Sequence, residues 1–208
     1  MMRLVRDGGP RPLAAPGLLP LPGRPRRGRA FRVLVLGGAR SGKSVTAERM
    51  LAERDRVEYV ACGLPADDSD PSWAERLRLH RERRPAHWTT LETLDLESLL
   101  SGAGHGAAPV LMDCLSTWLA GVMDECGLWA GNASADKELA ARVDGLLDAW
   151  HSTRRVVVAV SNEVGLGVVP ATASGVRYRD ELGRLNARVA ADCEQVWLCT
   201  AGIARRLR

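Results

Sequence analysis

Short apolar runs alternate along the chain with stretches in which apolar residues recur every three or four positions, so strands and helices are predicted to follow one another. Residues 31–36 are apolar apart from Arg32, which suits a strand covered on both faces of a parallel sheet. Runs at 57–61, 156–160 and 195–199 read as further strands, and the run 107–112 closes on an acid, Asp113. Helices are expected from about Lys43, over 73–83 behind a Ser72 cap, from about Leu115 through 118–129, over 135–150 and over 178–191. Residues 131–134 break the pattern, and no internal repeat is present. Strand and helix keep alternating to the end, the signature of an α/β protein with a mostly parallel central sheet and helices on both faces. Ligands of such sheets collect at the carboxyl ends of the strands. Two loops fall there by prediction: 62–65 after the second strand, and 161–170, punctuated by Gly165 and Gly167.

A chain of 208 residues with 46% hydrophobic content suffices for one such domain, predicted over 31–208. Residues 1–30 differ, with six prolines that interrupt every apolar run, and are expected to form a disordered arm without a signal-peptide core. Its Arg24, Arg26, Arg27 and Arg29 would suit RNA or an acidic surface, but the composition favours a solvated tail, so no nucleic-acid partner is expected. No stretch approaches transmembrane length. The five cysteines form no C-x-x-C pair and leave one over in any disulfide scheme, which points to free thiols and a cytoplasmic location.

The chemistry starts after the first strand. Gly37-Gly38-Ala39-Arg40-Ser41-Gly42-Lys43-Ser44 fits G-x-x-x-x-G-K-[ST], the phosphate-binding P-loop pattern. Its glycines let the backbone curl so that N–H groups face phosphate oxygens, and the helix that follows adds its positive end. Lys43 would reach the β- and γ-phosphates, and the Ser44 hydroxyl would ligate Mg²⁺. Ala39 occupies the middle glycine position of a dinucleotide fingerprint, so the ligand is expected to be a nucleoside triphosphate. Of 29 basic residues only Lys43 and Lys137 are lysines, leaving 27 arginines, so the lysine here is not a product of composition.

Two further residues carry alternatives. Asp113 ends an apolar strand, where a carboxylate faces a P-loop across the sheet and holds Mg²⁺; it would equally serve as a cap for the helix near Leu115. Cys114 follows it instead of the glutamate that a motor ATPase uses to activate water, and no N-K-x-D run marks a switch GTPase. His80 sits among Arg76, Arg81, Arg83 and Arg84, either as a surface histidine on a basic helix or as a nucleophile for an α-phosphate that the arginines hold. Its reference pKa of about 6.5 makes neutral imidazole available near pH 7. Asn162 and Glu163 are placed to bind substrate or orient water.

The blocks GGARSGKS (37–44), RLRLHRERRPAHW (76–88), LMDCLSTWL (111–119), SNEVGLGVVP (161–170) and YRDELGRLNARVA (178–190) closely resemble the bifunctional adenosylcobinamide kinase/adenosylcobinamide-phosphate guanylyltransferase family of cobalamin biosynthesis. The resemblance covers the chain from about Phe31 to its end. It implies a RecA-like P-loop NTPase fold, a homotrimer, and two reactions on adenosylcobinamide and adenosylcobinamide phosphate. In the first, ATP or GTP phosphorylates the aminopropanol hydroxyl; in the second, GMP passes from GTP through a guanylylated histidine, which falls on His80. It further implies nucleotide contacts from Gly37 to Ser44, from Cys62, Gly63 and Leu64, from Arg81, Glu82, Arg83 and Arg84, and from Glu92 and Asp113, with Mg²⁺ on Ser44 and Asp113. The arm before Phe31 departs from the family pattern, as does the small, weakly charged stretch 171–176, so no corrinoid contact is assigned.

Overall fold

In the computed structural model, which describes residues 30–63, 85–102 and 108–208, the first apolar run becomes strand β1 (Phe31–Gly37) inside a seven-stranded sheet. The chain continues through α1 (Lys43–Leu51), β2 (Glu58–Ala61), β3 (Thr89–Glu92), α2 (Leu96–Ser101), β4 (Val110–Asp113) and α3 (Leu115–Glu125). It ends with α4 (Ala135–Ser152), β5 (Val156–Asn162), α5 (Ala173–Ala191), β6 (Gln195–Thr200) and β7 (Ile203–Arg206). Strand order is β3-β2-β4-β5-β1-β6-β7, with every pair parallel except the antiparallel β6–β7. β5 lies between β1 and β4, so one strand separates the glycine loop from the strand that ends on Asp113. That intervening strand makes the sheet the RecA-like form of the P-loop fold.

Strand periodicity splits the core in two. Val33 and Val35 of β1 face the cluster that α1 closes with Ala47, Met50 and Leu51. Leu34 and Leu36 face the larger one, filled by Trp118 of α3, Trp150 of α4 and Leu182 and Leu185 of α5. Helices therefore cover both faces, as the alternating pattern predicts.

Boundaries move where side chains or glycines intervene. β5 runs on to Asn162, which pairs with Gly37, and α5 begins at Ala173 because Thr172 Oγ1 accepts from Gly175 N at 3.1 Å. α3 stops at Glu125 rather than near 129: Gly127 takes φ 68°, and Leu128 N reaches back to Met123 O at 3.0 Å. β3, α2 and β7 were not expected: β3 and β7 are exposed at three of four positions and so lack a buried apolar run, and α2 spans only six residues. The predicted helix 73–83 and the arm before Ala30 lie outside the described residues. All five cysteines are free, and no helix of the described residues is long and apolar enough to cross a membrane.

The amino edge of the sheet is pinned by two arginines. Arg155, 5% exposed just before β5, donates to Glu58 Oε2 of β2 at 2.6 Å, to Ala108 O, and to Leu99 O of α2 at 3.4 Å. Arg32 closes the other half through Glu194 and His151 O. Replacing Arg155 with alanine would strand those acceptors in a region the guanidinium now fills. Arg155→Ala is expected to lower the free energy of unfolding by roughly 3 kcal/mol, read as a shifted urea midpoint at unchanged slope.

Candidate active site

β1 ends on Gly37 because nothing larger fits: a Cβ there would lie 2.6 Å from the Cys199 carbonyl oxygen and collide with Ser41 Oγ. The loop then turns on itself, with Ser41 N donating to Gly38 O at 3.3 Å. Arg40 (φ 57°) and Gly42 (φ 93°) both take left-handed conformations, and α1 starts at Lys43, its first internal bond running from Thr46 N to Gly42 O at 2.9 Å. The amino end of α1 is thus presented at the carboxyl edge of the sheet, where its dipole favours an anion. Gly38, Ala39 and Arg40 are exposed, whereas Ser41 is buried. Lys43 Nζ donates to Gly38 O at 3.2 Å, which lays the ammonium across the loop.

A support that the hydrophobic pattern did not reveal sits behind this loop. The turn from β6 to β7 places Ala201 (φ 50°) and Gly202 (φ 80°) at its two central positions, the paired left-handed geometry of a tight hairpin. Gly202 N donates to Ser41 O at 3.0 Å, and a Cβ on Gly42 would meet Gly202 Cα at 3.2 Å. The Ala-Gly pair closing the last predicted strand was the available signal.

Asp113 arrives from the other side of β5. Its Oδ1 accepts from Ser44 Oγ at 3.2 Å, and its Oδ2 from the hydroxyl of Tyr59 at 2.8 Å. Capping of α3 falls instead to Cys114, whose N–H donates to Thr117 Oγ1 at 3.4 Å, so the alternative of Asp113 as helix cap is set aside. A hydroxyl and a carboxylate oxygen side by side at a P-loop are hard donors suited to Mg²⁺ that takes its remaining ligands from water and phosphates. No cluster of three or more His, Cys, Asp or Glu among the described residues offers a cage independent of nucleotide.

The remaining expected residues divide. Cys62 is fully buried, its thiol donating to Val60 O at 3.4 Å within the larger core cluster, so only its main chain borders the edge. Burial, with Cys114 and Asp113 nearby, pushes that thiol well above the usual range and keeps it neutral. Gly63 follows it, half-buried. Glu92 is exposed at the end of β3, four strand spacings from β1, or roughly 19 Å across the sheet. Leu64, His80, Arg81, Glu82, Arg83 and Arg84 lie outside the described residues.

Asn162 and Glu163 stand beside the loop. Glu163 N donates to Gly37 O at 3.1 Å, but its carboxylate turns back to accept from Gly165 N at 2.7 Å. Asn186 Nδ2 holds the Asn162 main-chain oxygen at 3.0 Å, and the Asn162 Oδ1 is enclosed with no hydrogen-bond partner among the described residues. Beyond them Leu166, Val168 and Val169 are 86%, 94% and 65% exposed, an apolar rim on the loop that follows β5. The polar residues of α5 are engaged within the chain: Arg177 with Asp136 and Glu181, and Arg188 with Asp144.

A family model described as cobinamide kinase / cobinamide phosphate guanyltransferase matches residues 33–207. The chain is 38% identical over 180 residues to the bifunctional adenosylcobalamin biosynthesis protein CobP of Pseudomonas aeruginosa, covering 86% of this chain and 98% of that protein. It is 33% identical over 183 residues to the bifunctional adenosylcobalamin biosynthesis proteins CobU of Escherichia coli and Salmonella typhimurium, covering 85% of this chain and 99% of each.

The close approach of Gly37 to Cys199 O makes a specific demand on the loop. Gly37→Ala is expected to weaken binding of a fluorescent GTP analogue at least tenfold and to lower the thermal midpoint, because the added methyl must displace either the loop or β6. Unchanged affinity in a titration would show that the loop geometry does not depend on that contact.

Proposed function

The chain belongs to the cobinamide kinase / cobinamide phosphate guanyltransferase family, and we propose that it carries out both reactions at the carboxyl edge of its sheet, with His80 as the covalent carrier of GMP. Phosphorylation and guanylylation of cobinamide are the activity of that family. The observation that supports a single nucleotide centre is the meeting of Ser44 with Asp113 beside a loop that begins with Gly37 and ends on Lys43.

In the kinase step the loop's main chain and Lys43 hold the β- and γ-phosphates of ATP or GTP. The aminopropanol hydroxyl of adenosylcobinamide attacks the γ-phosphorus in line, the bond to the β-phosphate oxygen breaks, and ADP or GDP leaves. Ser44 and Asp113 are the residues that would hold Mg²⁺, which when bound neutralises charge on the phosphate oxygens. The exposed Leu166, Val168 and Val169 give the acceptor's bulky ring system apolar surface next to that centre.

In the transfer step the lone pair of neutral His80 attacks the α-phosphorus of GTP, forming a nitrogen–phosphorus bond as pyrophosphate leaves. Arg81, Arg83 and Arg84 stabilise the developing charge, and the same reading counts Glu82 and Glu92 among the nucleotide contacts. A phosphate oxygen of adenosylcobinamide phosphate then attacks that phosphorus, the nitrogen–phosphorus bond breaks, and adenosylcobinamide-GDP is released with the imidazole restored. Assembly as a homotrimer belongs to the same reading.

Incubation with Mg²⁺ and GTP labelled at the α-phosphate, followed by denaturation, tests the covalent step. The expected result is acid-labile, alkali-stable label on the native protein and none on His80→Ala, with phosphorylation of cobinamide retained in the variant. No label on the native protein, with triphosphate binding confirmed and cobinamide phosphate supplied, would leave a kinase without a covalent intermediate.

A further inference from the structure

Asp113 is held from two sides, and only one of them belongs to the P-loop. The second is Tyr59, on β2, the strand next to β4; its ring is 2% exposed and its hydroxyl lies 2.8 Å from Asp113 Oδ2. β2 and β4 run parallel with Ala61 opposite Asp113 and Tyr59 opposite Leu111, so the tyrosine starts two residues nearer the amino edge and reaches along the sheet toward the acid. It does so on the face that α1 covers, packed with Met50, Leu51 and Trp88.

From this geometry we propose that Tyr59 is a positioning residue for the nucleotide–metal centre, fixing the Asp113 carboxylate so that Oδ1 faces Ser44. A carboxylate at a strand end can rotate about its last torsion, which is broad and nearly two-fold for aspartate. The bond from the rigid, buried phenol, at 2.8 Å against 3.2 Å for Ser44, restricts that rotation. The same hydrogen bond orients the remaining lone pairs of the carboxylate toward the loop. Partners of this outer kind tune metal affinity through the ligand they hold.

The inference rests on the nucleotide reading of the loop, and the test separates the two. Binding of a fluorescent GTP analogue is measured with Mg²⁺ and with chelator for the wild type, Tyr59→Phe, Asp113→Ala and the double variant. In Tyr59→Phe the affinity in chelator is expected to stay within twofold of wild type, while the Mg²⁺ concentration giving half the enhancement rises roughly 10-fold. In the Asp113→Ala background the second substitution should change nothing further. An unchanged Mg²⁺ requirement in Tyr59→Phe, or an equal effect with and without Asp113, would overturn the positioning role. A wild type that binds no nucleotide would overturn the loop reading itself.

Should Tyr59→Phe fail to fold, the native chain answers instead. It contains two tyrosines, so incorporation of fluorotyrosine gives two ¹⁹F resonances, assigned with Tyr178→Phe. Adding Mg²⁺ to nucleotide-loaded protein should shift the Tyr59 resonance and leave Tyr178 in place; a Tyr59 signal that does not move would sink the proposal.

Discussion

The parallel register of three adjacent strands is the constraint on which the site depends. Gly37 of β1 pairs with Asn162 of β5, and two residues earlier Val35 pairs with Val160, which in turn pairs with Asp113 of β4. The acid therefore ends its strand level with Val35, and the two residues of β1 beyond that level carry the chain out to the loop. α1 then returns Ser44 to within 3.2 Å of Asp113. A slip of one residue in either pairing would put Asp113 and Val35 of β1 on opposite faces and break the meeting of Asp113 with Ser44. Hydrophobic burial enforces the register: residues 33–36, 110–112 and 157–160 are buried, so each strand has only one alignment that keeps both clusters filled.

The two edges of the sheet divide the work. At the amino edge, Arg155 and Arg32 satisfy carbonyls and acids on several elements at once, a task for a planar fork with five donors. At the carboxyl edge the cation on the loop is a lysine, a compact charge on a flexible stem that lies on Gly38 O and can swing to a phosphate. A chain that uses 27 arginines among 29 basic residues has one of its two lysines at the position where a point charge is called for. Arginine forks tie elements together at one edge, and at the other the polar groups are arranged around the loop.

How much could be read from the residues follows from the range of each interaction. The strands 31–36 and 156–160 and the helix from Lys43 were legible because burial on both faces and a glycine-lysine motif are written in neighbouring residues. That Asp113 faces the loop was expected from an apolar strand ending on an acid in a chain with a P-loop, with a helix cap as the alternative. Tyr59 was not singled out: a tyrosine in a strand reads as core, and its hydroxyl acquires meaning only when β2 is placed beside β4. The hairpin at Ala201–Gly202 escaped for a related reason, since β7 has exposed residues at three of four positions and no apolar pattern to mark it. The helix expected to carry His80 lies outside the described residues, so that expectation continues to rest on the basic cluster and on family membership.

Two chemistries on one chain raise a question of distance that the sheet frames. The phosphate loop follows β1, whereas Glu92 ends β3 roughly 19 Å away along the same edge, and β2, which ends at Ala61, lies between them beside β4. Kinase chemistry needs the γ-phosphorus exposed at the loop; guanylyl transfer needs the α-phosphorus exposed to a nucleophile that enters further along. Residues 64–84, which include His80, connect Gly63 after β2 to Pro85 before β3 and lie outside the described residues. Under the proposed reading, attack at the γ-phosphorus and attack at the α-phosphorus fall at different points along the triphosphate, so the two steps can use the same loop without sharing an attacking position.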